Sequence, residues 1–458
     1  MKVLFRGGTV VSGESCRQLD VLIDGEKILQ VGSSLSCPDA DIVNVEGKLL
    51  FPGFIDAHTH FDLDVCGTTT IDDFASGTAA ALRGGTTTVI DFACPNKGES
   101  LTYGLNLWRN KAEGVSHCDY GFHMTIDDWN PEIRRELPEM LREGIPSFKM
   151  YMTYPAMMIG DQAIEEALKE LKQLGAVAGV HCEDAPAIDR MIEEAKQAGK
   201  LGPDSHPKTR PGWVEAAAVR RLLLLTSAAD APVIIVHLSS REALEEVRRG
   251  RKNGQTVYVE TCPHYLLLDE SLYEQTPYIE GAKYVCAPPL RTKEDREALW
   301  QALAAGEIQT VATDHCSFSL AQKEMGRGDF TKIPGGLPSV ETRGILLWSE
   351  GVAAGRISAE TMCRVLSETP AKLYGAYPQK GALLPGSDAD IVVLDPAGSG
   401  TLTAEDQLSK SDYCPYEGWE TRGAIEQVWL RGRLAVSEGR LLTKPLGQYV
   451  YRTNAREK

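Results

Sequence analysis

His58 and His60 close the apolar run Phe51 to His60, and their spacing suits metal chemistry. Side chains alternate along a strand, so residues two apart project to the same side. Two neutral imidazoles on one face can chelate a divalent cation, whereas a buried structural histidine needs no partner two residues away. Lys149, His181, His237 and Asp314 recur farther along, each at or near the end of an apolar run. One ion takes about four ligands and more candidates than that are present, so two metal ions sharing a bridge is the economical arrangement. Lys149 fits only if deprotonated and modified, because a protonated lysine has no lone pair and repels divalent cations. Carboxylation by carbon dioxide would give a carbamate whose two oxygens can bridge two ions. The alternative is an unmodified Lys149 that neutralises Asp314 or a substrate carboxylate in a one-metal site.

The elements that must position these residues follow from periodicity. Apolar runs at Phe54 to His58, Thr87 to Phe92, Tyr120 to Met124, Ser147 to Tyr151, Ala176 to His181, Val233 to His237, Thr256 to Thr261 and Gln309 to Asp314 read as strands. Between most of them lie amphipathic stretches such as Asp161 to Leu174, Val214 to Ala229 and Arg241 to Arg251, with apolar residues at three- and four-residue intervals. Repeated strand-helix units predict an α/β fold, a (β/α)8 TIM barrel, in which chemistry gathers at the carboxyl ends of the strands. That rule puts all six candidates at one mouth. The flanks have a different grammar: Val3 to Val11, Asp20 to Val31 with an Asp24-Gly25 turn, Asp390 to Leu394 and Gln427 to Val436 read as short strands that pair with one another. The expected domains are a β-sandwich from residues 1–52 and 375–440, a barrel from 53–374, and a C-terminal tail from 441–458 that docks on a neighbouring subunit.

At 458 residues the chain can bury a large core, and its net charge of -16 without a basic stripe argues against nucleic acid or anionic lipid as a partner. No apolar stretch approaches the roughly 18 residues needed to span a membrane, and the opening residues do not form a signal peptide. The 11 cysteines include no Cys-x-x-Cys pair and read as reduced thiols, so a cytoplasmic location is expected.

Several longer motifs occur in order: Gly53-Phe54-Ile55-Asp56-Ala57-His58-Thr59-His60, Ser147-Phe148-Lys149-Met150-Tyr151-Met152-Thr153-Tyr154, Val236-His237-Leu238-Ser239, Glu260-Thr261-Cys262-Pro263, Ala312-Thr313-Asp314-His315-Cys316 and Pro385-Gly386-Ser387-Asp388-Ala389-Asp390. With these the chain resembles, over nearly its whole length, the hydantoinase/dihydropyrimidinase family of cyclic amidohydrolases, closest to the phenylhydantoinase type. The resemblance implies that His58, His60 and Asp314 hold the more buried of two divalent metal ions, expected to be zinc. It implies that His181 and His237 hold the more exposed ion and that Lys149, as N6-carboxylysine, bridges the two. Water made acidic by the ions would attack a ring amide carbonyl, Asp314 would carry its proton to the leaving nitrogen, and Tyr154 would donate to the developing oxyanion. Backbone groups at Ala287 and Gly335 would bind the ring. A homotetramer is expected on the same ground.

Ala287 and Gly335 depart from the family's usual serine and asparagine, and Asp184 and His264 stand where asparagine and glutamine are frequent; these changes bear on pocket shape. The competing activities are dihydropyrimidinase, allantoinase and dihydroorotase. Enzymes for dihydroorotate place an arginine two residues after the His-x-His pair to meet a carboxylate, and here that position is Asp62. A non-catalytic scaffold on the same fold would have lost the ligand positions, all of which are filled. Phe61, Leu63, Val65 and Cys66, with Tyr154, Pro155, Met157, Met158 and Ile159, are expected to rim the mouth with apolar and polarizable side chains. They point to 5-aryl or 5-alkyl hydantoins as substrates, opened to N-carbamoyl amino acids of the D series.

Overall fold

The computed structural model describes residues 2–453. Eight parallel strands follow one another in chain order in a single sheet: β1 (Phe54–Thr59), β2 (Thr86–Ala93), β3 (Asp119–Thr125), β4 (Ser147–Tyr151), β5 (Val177–His181), β6 (Val233–Ile235), β7 (Val257–Thr261) and β8 (Thr310–Val311). A bridge between Thr59 and His315 brings the first and last strands together and closes the barrel. Strands β1 to β4 are buried along their whole length, as parallel strands covered on both faces must be.

The intervening helices have the expected apolar stripes. Helix Asp161–Gln173 turns Ile164, Ala167, Leu168 and Leu171 inward. Ser240 starts helix Arg241–Lys252 by accepting the Ala243 N–H, and Arg249, Arg251 and Lys252 gather at its carbonyl end, where the helix dipole favours cations. Among the described residues no helix is long and apolar enough to cross a membrane.

Two strands are shorter than their apolar runs. β6 stops at Ile235 and β8 at Val311 because the chain then turns out of extended geometry: His237 has φ 40° and Asp314 φ 50°. A left-handed backbone at a residue other than glycine costs roughly 1–3 kcal/mol and persists only where its surroundings enforce it. For Asp314 the enforcing contacts lie at the seam between β8 and β1, which has few backbone ladder bonds, while the His237 N–H is taken by Glu260 (3.3 Å). Asp56, fully buried, accepts the Thr313 hydroxyl (2.6 Å), the Thr313 N–H (3.1 Å) and the His58 N–H (3.3 Å). Below it the buried Arg343 donates to the carbonyls of Ile55 (2.8 Å) and Val311 (2.9 Å) and to Thr86 Oγ1 (2.9 Å). One carboxylate and one guanidinium thus stitch three strands together.

The terminal segments build two further sheets. Lys27–Gly32, Asp20–Asp24, Lys2–Arg6 and Asp41–Asn44 form one; the other is seven-stranded and contains Leu49–Pro52 beside Ile391–Thr401. Ile391 pairs with Pro52 and Leu394 with Leu49, so the two flanks join as the sequence suggests. Val3, Phe5, Val21, Ile23, Leu50, Ile391, Val393 and Trp429 fill the space between the sheets. Lys380, buried among Asp119, Asp388 and Asp390, ties this part to the foot of β3. The tail from Leu441 makes contacts with its own chain as far as Thr453. Tyr120 N–H donates to Gln448 O (3.0 Å), Val450 N–H to Tyr120 O (2.7 Å), and the buried Arg452 to Ser147 Oγ (2.9 Å). The rest of the tail is outside the described residues.

Replacing Arg343 with methionine removes the cation that pairs with Asp56 at 3.8 Å and leaves two strand carbonyls and Thr86 Oγ1 buried without their donor. Removal of one partner from such a buried set costs about 3–5 kcal/mol. Chemical unfolding of Arg343→Met is expected to show a loss of this size; a midpoint equal to wild type would contradict the role of the seam.

Candidate metal centre

Six side chains singled out in the sequence come from the ends of β1, β4, β5, β6 and β8 or the residues just after them, all at one end of the barrel. The ligand atoms of His58, His237 and Asp314 lie within 4.8 Å of one another. Asp314 Oδ1 is 3.1 Å from both His58 Nε2 and His60 Nε2. The imidazoles form a continuous row: ring centroids are 5.2 Å apart for His60 and His58, 5.4 Å for His58 and His237, and 4.5 Å for His237 and His181. Tyr154 closes the row, its ring 5.2 Å from that of His181.

Lys149 sits between the two halves of this row. Its Nζ is 5.0 Å from the ring centroids of both Phe92 and Tyr151 and enters no ion pair among the described residues. The Phe92 ring lies against His58 (4.6 Å) and His60 (5.0 Å), while Tyr151 stacks on His181 (5.8 Å). Burial lowers the Lys149 ammonium to about 8 although Asp314 and Glu260 oppose it, so the proton leaves more readily than from an exposed lysine. No contact neutralises Asp314 through Lys149.

Burial disfavours charge on all four rings and prevails on three; at His58 it is outweighed by Asp314 and Glu260, which hold the ring above its usual value. Burial holds His60 down to about 4, although Asp314 opposes it, and keeps His181 and His237 below their usual value, so these rings retain lone pairs. Burial disfavours charge on Asp314 too, but His58 and His60 beside it hold its carboxyl well below the usual carboxylate range. Tyr154 moves the other way: burial raises its phenol despite the Arg210 guanidinium 5.5 Å from its ring, and the proton stays available for donation. Among the described residues several buried atoms have no hydrogen-bond partner, including His58 Nε2, His60 Nδ1 and His237 Nδ1. Buried polar atoms are rarely left so, and unpaired imidazole nitrogens beside a carboxylate fit a divalent cation.

Some residues of the site are not among the sequence candidates. Glu260, at the end of β7, lies 2.6 Å from His58 Nδ1, and an anionic acceptor there puts the proton on Nδ1 and the lone pair on Nε2. Glu183 holds His181 Nε2 (2.8 Å) and is itself gripped by Arg210 (2.6 Å). Glu260 obeys the strand-end rule that found the others, and Glu183 follows His181 at the same two-residue spacing as His58 and His60. Arg210 carries no such signal, since it reaches the site from the loop after helix Ser205–Lys208.

The expected rim is only partly a rim. Phe61 is buried against Phe74 and His315, each 5.5 Å away, and Leu63 is buried too. Cys66 and Met158 are exposed and Tyr154 is half-buried. Asp62 is engaged by Lys111 (3.5 Å), and Asp184 caps the helix Ala185–Gln197 and pairs with Arg221 (3.1 Å). His264 is buried, with neither ring nitrogen hydrogen-bonded. Ala287 and Gly335 are neighbours: a Cβ built on Gly335 would lie 4.0 Å from the Ala287 nitrogen.

Residues 49–435 match the amidohydrolase family model. The D-hydantoinase of Geobacillus stearothermophilus is 42% identical over 456 residues, 99% of this chain and 97% of that protein. A D-phenylhydantoinase of Escherichia coli is 41% identical over 445 residues, 96% of this chain and 95% of that one. The crystal structure of dihydropyrimidinase from Brevibacillus agri superposes with a TM-score of 0.97 at 42% identity, covering 99% of both chains. The chain belongs to the amidohydrolase family. Within it, the chain falls in the hydantoinase/dihydropyrimidinase group of cyclic amidohydrolases.

If Glu260 fixes the tautomer of His58, its loss should weaken metal binding. Outer partners of metal-bound histidines are worth about tenfold to a hundredfold in affinity. Glu260→Gln is therefore expected to lose metal to a chelator at correspondingly lower concentration, and retention equal to wild type would remove Glu260 from the centre.

Proposed function

We propose that this chain opens the ring of 5-substituted hydantoins to N-carbamoyl amino acids of the D series, using two divalent metal ions, zinc by preference, at the barrel mouth. The observation that carries the reading is the convergence of His58, His60, His181, His237 and Asp314 around a buried, unpaired Lys149. In this reading His58, His60 and Asp314 hold one ion, His181 and His237 the other, and Lys149 bridges them as N6-carboxylysine. Carboxylation requires an amine that can lose its proton and lies near both sets of rings; burial lowers Lys149, and its Nζ is 5.0 Å from Phe92, which packs on His58 and His60, and from Tyr151, which stacks on His181.

When bound, two such cations polarise a ring carbonyl and acidify water enough for attack near neutral pH. The side chains do the rest. Asp314 accepts the proton of the attacking water and returns it to the ring nitrogen as the carbon–nitrogen bond breaks. Tyr154 donates its hydroxyl to the oxygen on which negative charge grows. Ala287 and Gly335 offer no side-chain donors, so backbone groups orient the ring.

The names of the relatives support hydantoins of the D series, and the half-exposed rim of Cys66, Tyr154 and Met158 suits an apolar ring substituent. Dihydropyrimidines are the second class, supported by the Brevibacillus neighbour. A homotetramer in the cytoplasm is part of the same reading. All cysteines are free, and Trp213 and Leu224 leave apolar side chains exposed on helix Gly212–Ala229.

The test is elemental analysis together with turnover of 5-phenylhydantoin, unsubstituted hydantoin, dihydrouracil, allantoin and dihydroorotate. About two metals per chain, their loss in Lys149→Ala, and fastest turnover of 5-phenylhydantoin are expected. One metal or none in undepleted protein would overturn the dinuclear centre, and preference for dihydroorotate would move the chain to another activity. Tyr154→Phe should lower kcat by about a hundredfold or more with metal content unchanged, the usual cost of one oxyanion donor. Turnover at the wild-type rate would take Tyr154 out of the chemistry.

A further inference from the structure

Lys323 ends the short helix Leu320–Lys323 and is fully buried, its Nζ 5.6 Å from the Phe318 ring. No carboxylate pairs with it among the described residues. Its three N–H donors go instead to three backbone carbonyls: Val285 (2.8 Å), Pro334 (2.7 Å) and Gly336 (2.8 Å). An ammonium has three donors and no acceptor, so the count is complete. The carbonyls belong to two segments far apart in sequence, Val285 to Ala287 and Pro334 to Gly336, which also meet through Gly336 N–H to Val285 O (3.0 Å). The knot is tight: a Cβ on Gly336 would fall 2.2 Å from the Cys316 carbonyl oxygen.

These segments lie between the two groups assigned to proton transfer and oxyanion stabilisation. On one side Cys316, two residues past Asp314, donates its N–H to Leu337 O (3.3 Å), and His315 Nδ1 accepts from Ser339 N–H (3.1 Å). On the other, Cys286 O accepts from His206 Nε2 (2.8 Å), and Arg210, four residues on, lies against the Tyr154 ring. The two segments are thus linked by hydrogen bonds to the stretch after Asp314 and, through His206, toward Arg210, and where Ala287 and Gly335 lie side by side neither offers a polar side chain.

We propose that Lys323 is a positioning residue for the substrate ring, its ammonium holding both segments in the single arrangement that lets their backbone groups meet a cyclic amide. This rests on the reading of the site as a cyclic amidohydrolase centre. Lys323 touches neither metal ligands nor the reacting atoms, so its loss should act on binding and leave the chemistry.

The experiment uses metal-replete Lys323→Met and Lys323→Gln. Metal content, amide hydrogen exchange over residues 285–287 and 334–337, and kcat and KM for 5-phenylhydantoin and dihydrouracil are compared with wild type. Expected are unchanged metal content, faster exchange in both segments, and KM raised about tenfold or more with kcat within about threefold, the pattern of lost ground-state binding. Where the methionine variant does not fold, the glutamine variant, which keeps a two-donor head, carries the same expectation. Wild-type exchange in both segments, or loss of kcat and metal together at unchanged KM, would overturn the assignment. Wild-type enzyme that opens neither ring would overturn the functional reading instead, and the exchange data would then decide the role of Lys323 alone.

Discussion

The site depends on how β8 is joined to β1. A barrel of eight parallel strands must meet itself, and here the last strand is two residues long, too short for a backbone ladder to hold the seam. Asp56 and Arg343 supply what the ladder lacks. Asp56 binds the N–H of His58 and both the N–H and hydroxyl of Thr313, so the same carboxylate sets the residues from which His58 and Asp314 project. The strained backbone at Asp314 and the proximity of its carboxylate to two imidazoles have this one cause. A buried charge pair is expensive to form, but every acceptor and most donors of this one are used, which is the condition under which such a pair holds a single geometry.

The electrostatic character of the mouth follows from the same enclosure. Burial disfavours charge on His60, His181 and His237 and lowers Lys149, and it would disfavour charge on Asp314 too were His58 and His60 not beside it. Neutral nitrogens and one carboxylate make a donor set for divalent cations. The carboxylates behind the rings, Glu260 and Glu183, orient individual imidazoles, and Arg210 links Glu183 to Tyr154. Glu260 lies against His58 and also accepts the His237 N–H (3.3 Å), while Glu183 lies against His181.

A different principle holds the substrate side. Two buried lysines contrast: among the described residues Lys149 has no ion pair and meets the Phe92 and Tyr151 rings, whereas Lys323 donates to three carbonyls. Burial is equal for both, and the number of carbonyl acceptors within reach distinguishes them. Lys380, buried among three carboxylates at the other end of the barrel, is a third solution to the same desolvation problem.

Much of this was legible in the sequence. Period-two placement of His58 and His60, and the recurrence of Lys149, His181, His237 and Asp314 at the ends of apolar runs, identified one mouth on a (β/α)8 barrel, because side-chain direction in a strand is fixed by local geometry. The pairing of the terminal flanks was legible for the same reason, since short alternating strands at both ends must find partners. Other features were decided by tertiary structure. Strands β6 and β8 end earlier than their apolar runs because His237 and Asp314 turn left-handed, at Asp314 beside the contacts of the seam and at His237 beside Glu260. Phe61 looks like a rim residue but is buried, since a cavity beside Phe74 and His315 exists only once the barrel closes. Glu260 and Glu183 carry a spacing signal, yet their partners are chosen by the fold. Lys323, Arg210 and Arg343 carry none: each is an unremarkable basic residue in sequence, and each matters because folding removes water from around it and leaves only particular carbonyls or carboxylates to take its hydrogen bonds.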